Sequence, residues 1–245
     1  MIDIHCHILP YADDGVSDMD DALEMARMAA DSGVTAIVAT PHCNLPGAPR
    51  GNYARPQLLQ EFLQLQQAVR QARIPVQIFP GAEVLCTPEV PALLRKGHLL
   101  TLAASDYLLV EFFFDEDLDF MDDMLYAISA EGAIPVIAHP ERYRAIHHTP
   151  HIIERWFRSG YIIQLNKGSI LGRLGRRAEQ TADWILARGL AHVVASDGHS
   201  PLVRTPDLSQ LSLHLSDFCA PDYVRLLLDD NPLRIIRNQP VFQAD

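Results

Sequence analysis

Short apolar runs recur along this 245-residue chain, and one after another they end in a histidine, an aspartate or a glutamate. That repetition limits the possible folds more than any other feature. Ile-Asp-Ile-His-Cys-His carries His5 and His7 and is followed by Asp14. Ala-Thr-Pro-His ends at His42, Pro-Gly-Ala-Glu at Glu83, Leu-Leu-Val-Glu at Glu111 and Val-Ile-Ala-His at His139. Val-Val-Ala-Ser-Asp-Gly-His supplies Asp197 and His199. A parallel barrel sends the C-terminal ends of its strands to one face, so residues distant in sequence meet there. Imidazole and carboxylate are ligands for divalent metals of intermediate hardness. The runs therefore predict a multi-metal site on a barrel rim.

Between the runs lie helical patterns. Strands are predicted at 2–4, 34–39, 76–80, 107–112, 134–138, 161–165 and 192–195. Helices are predicted at about 18–32, 55–72, 88–95, 118–131, 150–158, 176–188 and 221–229, with another short one starting at Asn231-Pro232. The first has Ser17 or Asp18 as its cap and Ala22, Met25, Ala26, Ala29 and Ala30 on one face. Seven βα repeats with no linker and no sequence repeat predict one α/β domain over residues 1–245, a distorted TIM-like (β/α)7 barrel. Residues 43–54, rich in proline and glycine, form a loop long enough to be a substrate lid.

An apolar share of 48% is sufficient for a large core. No run approaches the ~18 uncharged apolar residues of a membrane helix. A strand beginning at residue 2 leaves no room for a signal peptide. Four cysteines without paired spacing point to a reducing, cytoplasmic setting. A net charge of −11 with no basic stripe argues against nucleic acid as a partner.

On a strand, His5 and His7 share one face while Cys6 takes the other. Asp13-Asp14-Gly15 reads first as a turn, and its place after the His-x-His pair is what promotes Asp14. Glu83 and Glu111 sit among apolar neighbours, where an uncompensated carboxylate is costly. Arg142 and Arg204 each follow a ligand motif, and a planar guanidinium suits phosphate oxygens; the simpler alternative for each is a surface ion pair. Gln164, Asn166, Lys167 and Ser169 put polar groups on the same rim. His147, His148 and His151 read as a solvated helix start, and His98, His192 and His214 carry no further signal.

Two cysteines imitate a thiol-dependent phosphatase. His42-Cys43 is followed by Arg50, but with six intervening residues instead of five. Cys219 and Arg225 have the right spacing, yet Pro221 removes a backbone donor and Asp222 opposes phosphate. Neither makes a working thiolate nest.

The ordered set of motifs resembles the PHP superfamily of metal-dependent phosphoesterases. More narrowly, it is similar to the bacterial PHP-type protein-tyrosine phosphatases of capsule and exopolysaccharide loci. Met-Ile-Asp-Ile-His-Cys-His-Ile-Leu-Pro, Asp-Asp-Gly, Ala-Thr-Pro-His, Gly-Ala-Glu, the Glu111 strand, Ala-His-Pro-Glu-Arg-Tyr, Gly-Ser-Ile-Leu-Gly-Arg-Leu-Gly and Ser-Asp-Gly-His carry the likeness along the whole chain. The resemblance implies the PHP fold and three divalent ions, commonly manganese, with iron, zinc, cobalt or magnesium as other candidates. It implies one ion on His5, His7, Glu83 and Asp197, a second on Glu83, Glu111 and His139, and a third on Asp14, His42 and His199. Arg142 and Arg204 would contact phosphate. The implied partner is a phosphotyrosine protein, the tail of an autophosphorylating tyrosine kinase that controls polysaccharide export. The chain departs from the pattern at Cys43-Asn44-Leu45-Pro46, where relatives often carry a second histidine and an Asn-Gly run.

Direct hydrolysis by metal-activated water follows from this reading, with Tyr53, Phe113 and Tyr143 as candidate walls for a phenyl ring. The rivals are a small-molecule phosphatase of the histidinol-phosphate type, an amidohydrolase-type metal hydrolase, and a regulatory module without activity. Two carboxylates and Asp-Gly-His favour phosphoester chemistry over the amidohydrolase, and the intact ligand set counts against the inactive module.

Overall fold

A computed structural model of the chain describes residues 1–48 and 51–243. Nine parallel strands form its centre: β1 (Ile2–Cys6), β2 (Ala36–Ala39), β3 (His42–Cys43), β4 (Gln77–Pro80), β5 (Glu83–Leu85), β6 (Tyr107–Glu111), β7 (Ile134–Ala138), β8 (Ile162–Asn166) and β9 (Val193–Ala195). They occupy seven positions, because two strands are broken in the middle. Thr40-Pro41 separates β2 from β3, and a proline has no N–H to give the ladder. Gly81-Ala82 separates β4 from β5. A Cβ on Gly81 would lie 2.7 Å from Cγ1 of Val38, so only glycine permits this approach.

The breaks divide the hydrogen bonding into a β1-β2-β4 sheet and a β3-β5-β6-β7-β8-β9 sheet, which share the two interrupted strands. The ring closes between its last and first strands. Cys6 bridges Gly198 in parallel, Asp197 N donates to His5 O at 2.9 Å, and His7 N donates to Gly198 O at 2.8 Å. The expected seven-repeat barrel is therefore present, distorted where the one-turn helix Leu102–Ala104 inserts between β4 and β6.

Two apolar layers fill the molecule. Ile4, Val38, Leu109, Val136, Ala138 and Val193 point into the barrel, whose base is closed by Leu102 and by Ile235 of the helix Asn231–Ile236. The larger layer packs the outer sheet face against the surrounding helices and includes Met25, Phe62, Leu125 and Trp156. Most elements lie within about two residues of their predicted ends. The pattern did not predict the helix Ser209–Phe218, which carries His214, or the short helices Arg144–His148 and Lys167–Ile170. His147 and His148 end the Arg144–His148 helix instead of starting one. The predicted 221–229 helix is a short helix, Pro221–Arg225, running into a wider turn, Leu226–Asp230.

Candidate metal centre

Strand parity brings most of the rim side chains inward. Along β2 and β3, the inward positions of Ala36 and Val38 continue through Thr40 to His42. Along β6 they run from Tyr107 and Leu109 to Glu111, and along β9 from Val193 and Ala195 to Asp197. β1 breaks the rule. Ile2 and Ile4 point inward, yet Cys6 packs in the outer layer and His5 and His7 face the rim. The β1–β2 register explains this, since three residues advance on β1 from Asp3 to Cys6 against two on β2. Such a bulge reverses the alternation beyond it. The buried Asp3 carboxylate holds the bulge, accepting from His5 N at 3.3 Å and Ser196 N at 3.0 Å.

The tautomers of His5 and His7 follow from their outer partners. Gln164 donates through Nε2 to Leu165 O at 2.7 Å, so its Oε1 accepts from His5 Nδ1 at 2.9 Å. Asp13 Oδ2 accepts from His7 Nδ1 at 2.7 Å. In the neutral form of each ring both Nε2 atoms are then lone pairs, and they face one another at 3.2 Å. Glu83 Oε2 lies 3.2 Å from each, and Asp197 Oδ1 lies at 3.5 and 3.4 Å. Ligand atoms placed tetrahedrally at about 2.1 Å from one ion stand about 3.4 Å apart. Four buried ligand atoms at these separations are held together by protons or by a metal cation, and their spacing fits a metal.

Glu83 also touches two other imidazoles, His139 Nε2 through Oε1 at 2.8 Å and His42 Nδ1 through Oε2 at 3.1 Å. Its Oε2 is buried with no hydrogen-bond partner, as is His139 Nδ1. Burial pushes the Glu83 carboxyl up, but His5 and His42 outweigh it and hold it well below the usual range. Asp197 behaves in the same way beside His5. Burial depresses His7, and Asp13 overrides it to raise the imidazole well above its ordinary value. For His199, burial and neighbouring His7 together pull the imidazole down to about 3, leaving it neutral. Its Nδ1 donates to Asp197 O at 3.0 Å, freeing Nε2, which lies 3.6 Å from Asp14 Oδ1.

All nine candidate ligands thus gather at one end of the barrel. Four groups are close enough to share an ion: His7, Asp14, His42 and His199; His5, His7 and Glu83; His5, His139 and Asp197; and His42, Glu83 and Glu111. The first contains the triad implied for a third ion and adds His7. The second falls within the set implied for the first ion, without Asp197, while the last two divide the residues differently, for Glu111 joins His42 and His139 joins Asp197. Asp14 is the outlier in burial, its side chain 69% exposed. His139, Asp197 and Arg204 all hold left-handed backbone, φ 35°, 50° and 54°, a strain that concentrates at functional sites.

Arg142 and Arg204 both face Asp197, Arg142 Nη1 at 3.6 Å and Arg204 Nη2 in closer contact with the same Oδ2. The Arg142 guanidinium also lies over the Phe114 ring, 4.5 Å from its centroid. The sequence points to Tyr143 as a wall for a phenyl ring and gives no sign of Phe114; the structure excludes Tyr143 from that role. Tyr143 is fully buried, its hydroxyl donating to Ala138 O at 2.7 Å and accepting from Phe112 N at 3.2 Å, so it presents no face to a ligand. The Tyr53 hydroxyl donates to Asn44 Oδ1.

Three supporting residues carried weak signals or none. Asp13 is one. Asn166 donates through Nδ2 to Asp197 Oδ2 and through its backbone to Glu141 Oε1. In the sequence, Asp3 shows only as part of a strand. The cysteine mimics are inert. Cys43 is buried, with its thiol pushed up to about 12, and Arg50 lies outside the described residues. Burial raises the Cys219 thiol too, while Arg225 pairs with Asp222 and Asp230.

Fold and rim together define a parallel barrel whose histidine and carboxylate clusters could hold divalent metal. The family model for capsular polysaccharide synthesis, CpsB/CapC, matches residues 1–237. The chain is 36% identical to tyrosine-protein phosphatase YwqE of Bacillus subtilis (strain 168), over 99% of this chain and 94% of that protein. It is 30% identical to tyrosine-protein phosphatase CpsB of Streptococcus pneumoniae, over 98% and 99%. A solved structure described with YwqE from Bacillus subtilis and CpsB from Streptococcus pneumoniae, as unique metal-dependent tyrosine phosphatases, superposes with a TM-score of 0.92. It is 34% identical and covers 100% of this chain and 97% of that one. The chain belongs to the CpsB/CapC family.

Proposed function

We propose that the protein is a metal-dependent protein-tyrosine phosphatase. Its substrate is a phosphotyrosine protein, a bacterial tyrosine kinase of polysaccharide export, and it acts in the cytoplasm. The observation that carries the reading is Arg142 stacked 4.5 Å over Phe114 beside the histidine–carboxylate cluster. An aryl phosphate needs both elements, a guanidinium for the phosphoryl oxygens and an apolar face for the ring. The names of the CpsB/CapC relatives support it. Four free cysteines fit a reducing compartment, and among the described residues no helix is long and apolar enough to cross a membrane.

His5, His7, Asp14, His42, Glu83, Glu111, His139, Asp197 and His199 would hold up to three divalent ions, manganese first among the candidates. Bound there, the ions supply the Lewis acidity that makes water nucleophilic near neutral pH and offsets phosphoryl charge. Asp13 and Gln164 keep the His7 and His5 lone pairs aimed inward. Arg142 and Arg204 orient the phosphate and take up charge that shifts onto its oxygens as the ester bond breaks. The test is a panel of phosphotyrosine peptide, phosphoserine peptide and histidinol phosphate, with and without manganese. Faster turnover of phosphotyrosine, lost on chelation, is expected. Faster turnover of either other ester would overturn the substrate and keep the reaction class.

A further inference from the structure

Arg142 and Phe114 are the boundary between the metal cluster and a groove of about 500 Å3, whose wall also includes Arg144, His147, Arg176 and Arg177. The groove runs on into a second hollow of about 380 Å3, the two sharing His147 and Arg177. Neither hollow is lined by an aspartate or a glutamate. Among the described residues, Arg144, Arg176 and Arg177 have no carboxylate within ion-pair distance, and all three are exposed. In a chain of net charge −11 this is a local reversal of sign. Three guanidiniums gathered without a counterion repel one another, and an anionic ligand would relieve that repulsion.

We infer that this groove is a substrate subsite for a second anion, a phosphate or carboxylate on a residue near the reacting phosphotyrosine, held by Arg144, Arg176 and Arg177. The inference rests on the phosphotyrosine reading above and names its specificity. An extended peptide advances ~3.3 Å per residue, so a groove that begins at Arg142 lies within reach of a side chain one to three residues away. A guanidinium pairs with carboxylate or phosphate in the same forked geometry, so the two sources share one chemistry.

The test uses the full chain loaded with manganese and four substrates. Three are peptides of one sequence with a central phosphotyrosine, flanked by neutral residues, by glutamates or by a second phosphotyrosine. The fourth is a small aryl phosphate. For the Arg176→Ala/Arg177→Ala double variant, KM should rise about tenfold for the glutamate and doubly phosphorylated peptides. KM for the neutral peptide should move less than about twofold, and kcat for the aryl phosphate should stay unchanged, which also reports a folded enzyme. Arg176→Lys/Arg177→Lys should recover most of the difference, and raising salt several-fold should shrink it. A larger effect on one anionic peptide than on the other identifies the source. Equal KM for neutral and anionic peptides in the parent enzyme, or an unchanged preference in the double variant, overturns the subsite alone. Failure to hydrolyse any phosphotyrosine peptide overturns the underlying reading with it.

Discussion

Asp13 does three things from one position. Its Oδ2 accepts from His7 Nδ1 and from His42 N, both at 2.7 Å, while Oδ1 accepts from Gly15 N at 2.9 Å. A Cβ on Gly15 would sit 2.3 Å from His7 O, so glycine is required where the loop folds back over the histidine. Three hydrogen bonds and His7 outweigh burial and bring the Asp13 carboxyl down to about 2. Asp13→Asn offers an NH2 where two donors now converge, and His7 would move its proton to Nε2. Manganese affinity should fall by about 10- to 100-fold, read by calorimetric titration of metal-free protein. Parent-like affinity would remove Asp13 from the positioning of His7. The sequence shows Asp13 only as turn chemistry, because the bond to Gly15 is local and those to His7 and His42 are not. Phe114 and Tyr143 show the same limit. Both lie next to motifs, and only packing decides that the first covers Arg142 and the second supports the β7 end.

Strands reveal their inward faces through a two-residue period, and this made His42, Glu111 and Asp197 legible. The bulge in β1 was not, since Asp3 resembles any polar residue until Ser196 is seen beside it. Nor was the helix Ser209–Phe218, whose serines and leucines lack a cap and end one turn before Pro221. The β8–β9 pair provides a test away from the metal site. His192, just before β9, is buried and stacked on Phe157, centroids 4.6 Å apart, with Nδ1 accepting from Ile163 N at 3.1 Å. Burial drops this imidazole to about 4 from an ordinary 6.5. The folded state resists protonation, so stability is complete above pH ~6.5 and falls as pH drops toward ~4, by up to about 3 kcal/mol. Urea titrations of the parent and of His192→Gln at several pH values should differ by about one proton in that window. Parallel curves would show that His192 is not the group responsible.

Across the molecule, nine histidines and carboxylates crowd one end of a closed barrel, where the imidazoles hold the buried carboxyls ionised. Divalent metal binds this folded arrangement and not the open chain, so it should stabilise by about 2.7 kcal/mol per site at a hundredfold excess over Kd. For a domain of this size that is about 5 to 10 °C in Tm. Chelator-treated protein should melt lower by that order and recover with manganese, as read by calorimetry. An unchanged Tm at saturating manganese would mean that the open chain binds the ion as well as the barrel does. Seven alternating repeats made the architecture predictable. The contacts that close the ring were not, because Gly198 and Cys6 meet across almost the whole chain.

That closure sets an order of events during synthesis. Asp3, which aims His5, receives its bond from Ser196, a partner 193 residues further along. His5 and His7 precede Asp197 and His199 by almost the same separation, so they leave the ribosome well before them. A nascent chain therefore carries these histidines with their final partners still unmade, and the cluster can be completed only once the strand before Asp197 has been released.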